Sequence, residues 1–229
     1  MDVAVTKAGM AKSALDRSSV YGLLAALFRC EITAKLLREL RRPALVEALT
    51  TIGFALDRDV LEGPEDEVIE TLAVAYTALF IGPGKHIPPY ASVHMPGSNG
   101  ELWGETTVWA KQFIEAGGFD YATEFHDLPD HLAVELELMR NLWAREAEAT
   151  ENGDTAAATA ASNLRITFVR DHLVHWLPPF CDKVTANSPH PFYAMIASLT
   201  LAIVRWEHTY PTESYTPNTE LTPVGRDRH

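Results

Sequence analysis

Apolar residues recur at helical spacing in almost every stretch of this 229-residue chain, and no convincing run of strand-like alternation interrupts them. That periodicity restricts the fold to helix packed on helix and predicts one all-α domain, a helical bundle over residues 1–210. Val20, Leu23, Leu24, Leu27 and Phe28 form one stripe, with Ser18 or Ser19 as the expected N-cap. "ITAKLLRELRR" predicts a second helix that Pro43 ends, and "ALVEALTTIG" a third closed by Gly53. "GPEDEVIETLAVAYTALFIG" places acids in its first turn, where the helix dipole favours them. "NLRITFVRDHLVHWL" is expected to stop before Pro178 and Pro179, and "FYAMIASLTLAIVRWEHTY" to be a central helix. Gly153 is expected to separate two helices across an Ala-rich linker. The Pro- and Thr-rich tail, 211–229, predicts poor order.

One long segment breaks the pattern. Residues 82–100, "GPGKHIPPYASVHMPGSNG", contain Pro83, Pro88, Pro89 and Pro96 and cannot form one regular helix. So long a connection inside a domain tends to be functional or disordered, and its Ile87, Tyr90, Val93 and Met95 argue for docking. Helix resumes in "ELWGETTVWAKQFIEAG" and yields to the loop "FDYATEFHD".

Composition removes several function classes. With 19 basic and 31 acidic residues the net charge is −12, which repels nucleic acid and anionic membranes and attracts a basic peptide. The longest apolar stretches fall short of the roughly 20 residues that span a bilayer, so no stable membrane insertion is expected, and the location expected is cytoplasmic. Cys30 and Cys181 form no motif and predict two buried or half-buried thiols.

The densest chemistry lies in "DLPDHLAVELELM", residues 127–139. A helix starting near Leu128 makes Asp127 its N-cap, puts Pro129 in the first turn and sets Asp130 at the third position of a capping box. His131 and Glu135 then sit four apart on the surface and can pair. As a zinc site the cluster is short of ligands, since His131 and Glu135 do not follow H-E-x-x-H and His126 adds at most a third. "LFIGPGKH" fails as a phosphate-binding loop, and no strand precedes it for a dinucleotide fold. Neither catalytic residues nor a cofactor nor a metal is assigned; a small metal- or nucleotide-dependent hydrolase on Asp127, Asp130 and His131 is the alternative of a different class.

Two motifs resemble the TorD/DmsD/NarJ family of redox-enzyme maturation chaperones. The family pattern E-x-x-D-H-[ILV]-x-x-E-[LM] aligns with "DLPDHLAVEL", with Asp127 in place of glutamate and matches at Asp130, His131, Leu132, Glu135 and Leu136. "YTALFIGPGKHIPPYASV" supplies Tyr76, Leu79, Phe80, Pro89, Tyr90 and Ser92 at the positions of the second motif. The resemblance spans roughly residues 18–208. It implies an all-helical chaperone of the TorD/DmsD type, not an enzyme. Its implied partner is the catalytic subunit of a molybdenum or tungsten oxidoreductase and its twin-arginine leader, held from export until cofactor insertion and folding are complete. A NarJ-like chaperone for a non-exported subunit is the runner-up. The resemblance also implies a shared peptide groove formed by both motifs, and either a monomer or a domain-swapped dimer. On that reading Asp130 and Glu135 take a guanidinium, while Tyr76, Phe80 and Tyr90 supply an apolar floor.

Overall fold

The computed structural model describes residues 7–119 and 127–210. His126, most of the "FDYATEFHD" loop and the expected tail from 211 lie outside the described residues. Those residues form α1 (Lys7–Arg29), α2 (Ala34–Leu40), α3 (Pro43–Thr51), α4 (Arg58–Glu62) and α5 (Glu65–Tyr76). A π turn, Thr77–Ile81, extends α5 and leads through the 82–100 segment, which holds the short α6 (Ala91–His94). Then come α7 (Glu105–Ala116), α8 (Leu132–Asn152) and α9 (Thr155–Phe168), a second π turn at Val169–Leu173, α10 (Val174–Asn187) and α11 (Pro191–Thr209). Among the described residues there is no strand, only one isolated bridge between Tyr90 and His131. No described helix is long and apolar enough to cross a membrane.

Local chemistry sets most boundaries. Thr33 caps α2 by accepting from the Leu36 N–H at 3.2 Å, and Asp154 caps α9 by accepting from Ala157 N at 2.9 Å. Pro43 and Pro191 open α3 and α11, where a missing N–H costs nothing. Gly153, at φ 77°, turns the chain between α8 and α9 in the left-handed region open to glycine.

Four expectations fail. Ser18 and Ser19 lie inside α1, where Ser18 Oγ donates to Arg140 O at 3.0 Å and Ser19 Oγ to Leu15 O. The helix expected from Glu101 begins at Glu105. The helix expected to stop before Pro178 continues through both prolines to Asn187, held by the burial of Trp176, Leu177, Phe180, Cys181 and Val184. Cys30, one residue beyond the end of α1, is exposed; Cys181 is buried.

The core runs the length of the bundle. α1 packs along α8, with Arg17 stacked on Trp143 at one end and Arg29 paired with Glu137 towards the other. Phe28, Tyr76, Phe80, Phe180 and Tyr193 meet edge to face or stacked in its centre, with ring centroids 4.9–6.3 Å apart. The 82–100 segment meets this aromatic centre where the His94 ring packs on Phe180.

Candidate functional site

The "LPDH" stretch is a turn and not the first turn of a helix. His131 N donates to Leu128 O at 3.0 Å, with Pro129 at the second turn position that its fixed φ suits. α8 therefore starts at Leu132, and its N-cap is His131, whose Nδ1 accepts from Ala133 N at 3.1 Å. Asp127 is not the cap: its Oδ1 accepts from Leu128 N at 2.9 Å and from the Tyr90 hydroxyl at 2.7 Å. With Nδ1 occupied as an acceptor, His131 carries its proton on Nε2, 3.6 Å from Asp127 Oδ2. Burial holds the His131 pKa below its ordinary value despite Asp127 and Asp130 beside it.

This turn fastens the long segment to the bundle. Leu132 N donates to Pro89 O at 2.8 Å, Ala91 N to Asp130 O at 2.9 Å and Ser92 N to Asp130 Oδ2 at 2.9 Å. The Tyr90 ring stands edge-on to His131 with centroids 4.9 Å apart. Asp130 is fully buried, and neither its Oδ1 nor Ser92 Oγ has a hydrogen-bond partner among the described residues. Removing the Tyr90 hydroxyl severs one half-buried bond, so Tyr90→Phe should lower stability by about 1 kcal/mol in urea denaturation. Asp127→Ala should cost more than Tyr90→Phe, because the Leu128 N–H and His131 Nε2 lose the same carboxylate.

Glu135 lies one turn into α8 and is fully buried, so it does not pair with His131 on the surface. Its Oε1 is 2.6 Å from His172 Nε2, and its Oε2 accepts from Trp176 Nε1 at 3.1 Å. Burial raises the Glu135 carboxyl well above its usual range, reinforced by Asp130, and pushes His172 down to about 3. Although their separation is that of an ion pair, both shifts favour the uncharged partners, and one proton on Glu135 satisfies the contact. The His172 ring stacks on Trp109 of α7 at 4.7 Å and meets Phe168 at 5.0 Å.

The second motif lies in the aromatic centre. Tyr76, Leu79 and Phe80 are all buried, and the Tyr76 hydroxyl donates to Phe28 O at 3.0 Å. Ile87 N donates to Leu79 O at 2.6 Å and so ties the π turn to the long segment. The structure thus brings Pro89, Tyr90, Ser92, Asp127, Asp130 and His131 into one node, with Glu135 beneath it and Tyr76, Leu79 and Phe80 in the adjoining core. Of these, Tyr90 and Asp127 are half-buried and the rest are buried.

Sequence reasoning missed the clasp that joins node and core. His94 Nε2 donates to Pro88 O at 2.8 Å, while Lys183 donates to its Nδ1 at 3.2 Å from α10. Its ring packs on Phe180 at 5.3 Å and lies parallel to Trp176, and burial lowers its pKa to about 4. Nothing in "SVHMP" marks this histidine, because every partner beyond Pro88 comes from α10. Among the described residues no three His, Cys, Asp or Glu side chains converge as a metal site.

The model for the family described as nitrate reductase delta subunit matches residues 33–182. Chaperone protein TorD of Shewanella piezotolerans is 29% identical over 87% of this chain and 94% of its own length. Its counterpart in Shewanella pealeana is 30% identical over 82% of this chain and 86% of its own. A crystal structure of an Archaeoglobus fulgidus protein assigned to redox enzyme maturation superposes with a TM-score of 0.52 at 21% identity, covering 82% of this chain and 93% of that one. The all-α architecture is therefore shared with that structure, and the chain belongs to the nitrate reductase delta subunit family, which includes the TorD chaperones.

Proposed function

We propose that the protein receives the twin-arginine leader and apo form of a molybdenum or tungsten oxidoreductase catalytic subunit in the cytoplasm. Its family makes it a redox-enzyme maturation chaperone and not an enzyme. The observation that carries the binding site is the fastened 82–100 segment. Pro88, Pro89, Ala91 and Ser92 are all anchored, while Tyr90 and Asp127 remain half-exposed beside them. That arrangement is an ordered ledge with an aromatic face and a carboxylate, so little entropy is lost when a peptide settles on it. A guanidinium would meet Asp127 and the Tyr90 ring. Asp130, His131, Glu135, Ser92 and Pro89 take part by holding that ledge, and Tyr76, Leu79 and Phe80 by supporting it from the core.

Affinity capture of the tagged protein from its native cells, followed by mass spectrometry, tests the reading. Recovery of one oxidoreductase catalytic subunit with its leader is the expected result, and recovery of no oxidoreductase would overturn it. Asp130→Ala releases Ser92 N and should reduce client affinity about tenfold. Stability should fall by only about 1 kcal/mol, because an unpartnered carboxylate oxygen leaves with the bond. The second reading is a NarJ-like chaperone for a non-exported oxidoreductase subunit, and the matching family's description names a nitrate reductase subunit. Capture of a catalytic subunit without a twin-arginine leader would select it.

A further inference from the structure

Trp103 is 74% exposed, and it is the one non-glycine described residue with a positive φ, 64°. A bulky side chain in the left-handed region is strained, and strain of this kind persists where the surroundings or a function require it. The residue belongs to a local motif that the fold leaves unused. Gly104 is the N-cap of α7, so Trp103 precedes the cap and Val108 is the fourth helical residue, the two positions of a hydrophobic staple. A closed staple would cover both side chains, yet Val108 is 55% exposed and neighbouring Leu102 46%.

The other four tryptophans all have ring or cation partners. Trp143 and Trp206 lie under Arg17, Trp109 stacks on His172, and Trp176 stacks on His94. Trp103 has no such partner among the described residues. Exposed Glu101 and Glu105 flank it, and their two carboxylates outweigh the half-positive end of α7. The first turns of α7 are tied to the node through Trp109, which stacks on His172, itself paired with Glu135. The patch is therefore apolar, acid-rimmed and rigidly joined to the elements that hold the peptide ledge.

We propose that Trp103, with Leu102, Val108, Glu101 and Glu105, is a second contact surface for the client, taking a cationic side chain next to an apolar one. The indole face accepts a guanidinium or ammonium, the two carboxylates neutralise it, and Leu102 and Val108 cover the adjoining apolar residue. This rests on the chaperone reading above and extends its contact surface from the ledge to the start of α7.

The test uses the full chain and a labelled peptide of two adjacent arginines followed by ten apolar residues, titrated by fluorescence anisotropy. Trp103→Gly removes the ring at a position whose φ suits glycine, so it should melt no lower than the wild type while raising Kd about tenfold. Glu101→Gln with Glu105→Gln should flatten the salt dependence of Kd. A change of less than about twofold for Trp103→Gly overturns the proposal. If the wild type ignores the peptide but still captures an oxidoreductase subunit from cells, this surface is wrong and the chaperone reading stands. If it does neither, both fall. A wild-type dimer that Trp103→Gly converts to monomer would make the patch an interface between copies, and also overturns the proposal.

Discussion

Arg165→Met is expected to cost about 3–5 kcal/mol of stability, a large part of the 5–15 kcal/mol typical of a folded domain. Arg165 is 1% exposed, and its guanidinium is committed on every side. Nη1 donates to Glu207 Oε1 at 2.5 Å, and Nε and Nη2 reach Glu146 Oε2 at 3.3 and 3.2 Å. Nη2 also reaches Ser162 Oγ at 3.1 Å, and the group lies 3.5 Å above the Trp143 ring. Glu207 is itself buried and receives the Tyr21 hydroxyl on its other oxygen. Methionine fills much of the volume but leaves the two carboxylates with only the half-buried Arg17 guanidinium, which also lies over Trp143, as a neighbouring cation. The charge, and not the cavity, dominates the cost. Adding Glu207→Met should recover only part of the loss, because it removes the buried unpaired carboxylate but leaves the Tyr21 hydroxyl without its acceptor and Glu146 without Arg165. Urea denaturation of the three variants measures this cycle. A loss below about 1 kcal/mol for Arg165→Met would mean that Glu207 reaches water, as an exposed pair does.

That network joins four helices, α1 through Tyr21, α8 through Glu146, α9 through Arg165 and α11 through Glu207, across as many as 186 residues of sequence. No local pattern announces such a set. A signal was nonetheless present, since Thr200, Val204 and Glu207 continue one face of α11 and all three are buried. An acid on an apolar stripe demands a buried partner. Glu135 gives the same signal between Leu132 and Leu136. Local reading instead placed it at the surface opposite His131, where i, i+4 spacing alone would allow a pair.

Helix identity was legible wherever the apolar stripe was long, as in α5 and α11, because burial and periodicity agree there. Boundaries failed where tertiary contacts overrode local propensity. Asp127 and Pro129 satisfy every rule for a helix start, but backbone pairing of Pro89 and Ala91 with the turn delays α8 to Leu132. Pro178 and Pro179 satisfy every rule for a helix stop, but Trp176 and Phe180 are too deeply buried on either side for α10 to end there. The break at 82–100 was legible from its prolines. Its fastening was not, because Asp130, His94 and Lys183 act across 38, 6 and 89 residues respectively.

Glu135→Gln is expected to gain on the wild type as pH rises above about 4.5, by about 1.4 kcal/mol per unit until the folded carboxyl ionises. In the folded wild type one proton sits on Glu135, whose pKa burial raises, and His172 is neutral down to about 3. Between about 4.5 and 6.5 the unfolded pair also binds one proton, on the histidine, so the dyad contributes no slope there. Above that window the unfolded pair binds none while the folded pair keeps one, and wild-type stability falls with rising pH. Below it the unfolded pair binds two, and stability falls again as pH drops towards 3. Glutamine keeps the geometry of the protonated acid, since its carbonyl accepts from Trp176 Nε1 and its amide donates to His172 Nε2. Only the histidine then titrates, so the variant loses stability on acidification below about 6.5 and none above it. Glu135→Ala instead strands two buried partners over a cavity and should lose roughly 2–5 kcal/mol near pH ~4.5, a deficit that shrinks as pH rises because alanine, like glutamine, has no carboxyl to keep protonated. Chemical denaturation of the three proteins from pH 4 to 8 decides the matter. If Glu135 and His172 were a true ion pair, glutamine would be the less stable at neutral pH, and the carboxylate charge would be part of what holds α8 to the second π turn.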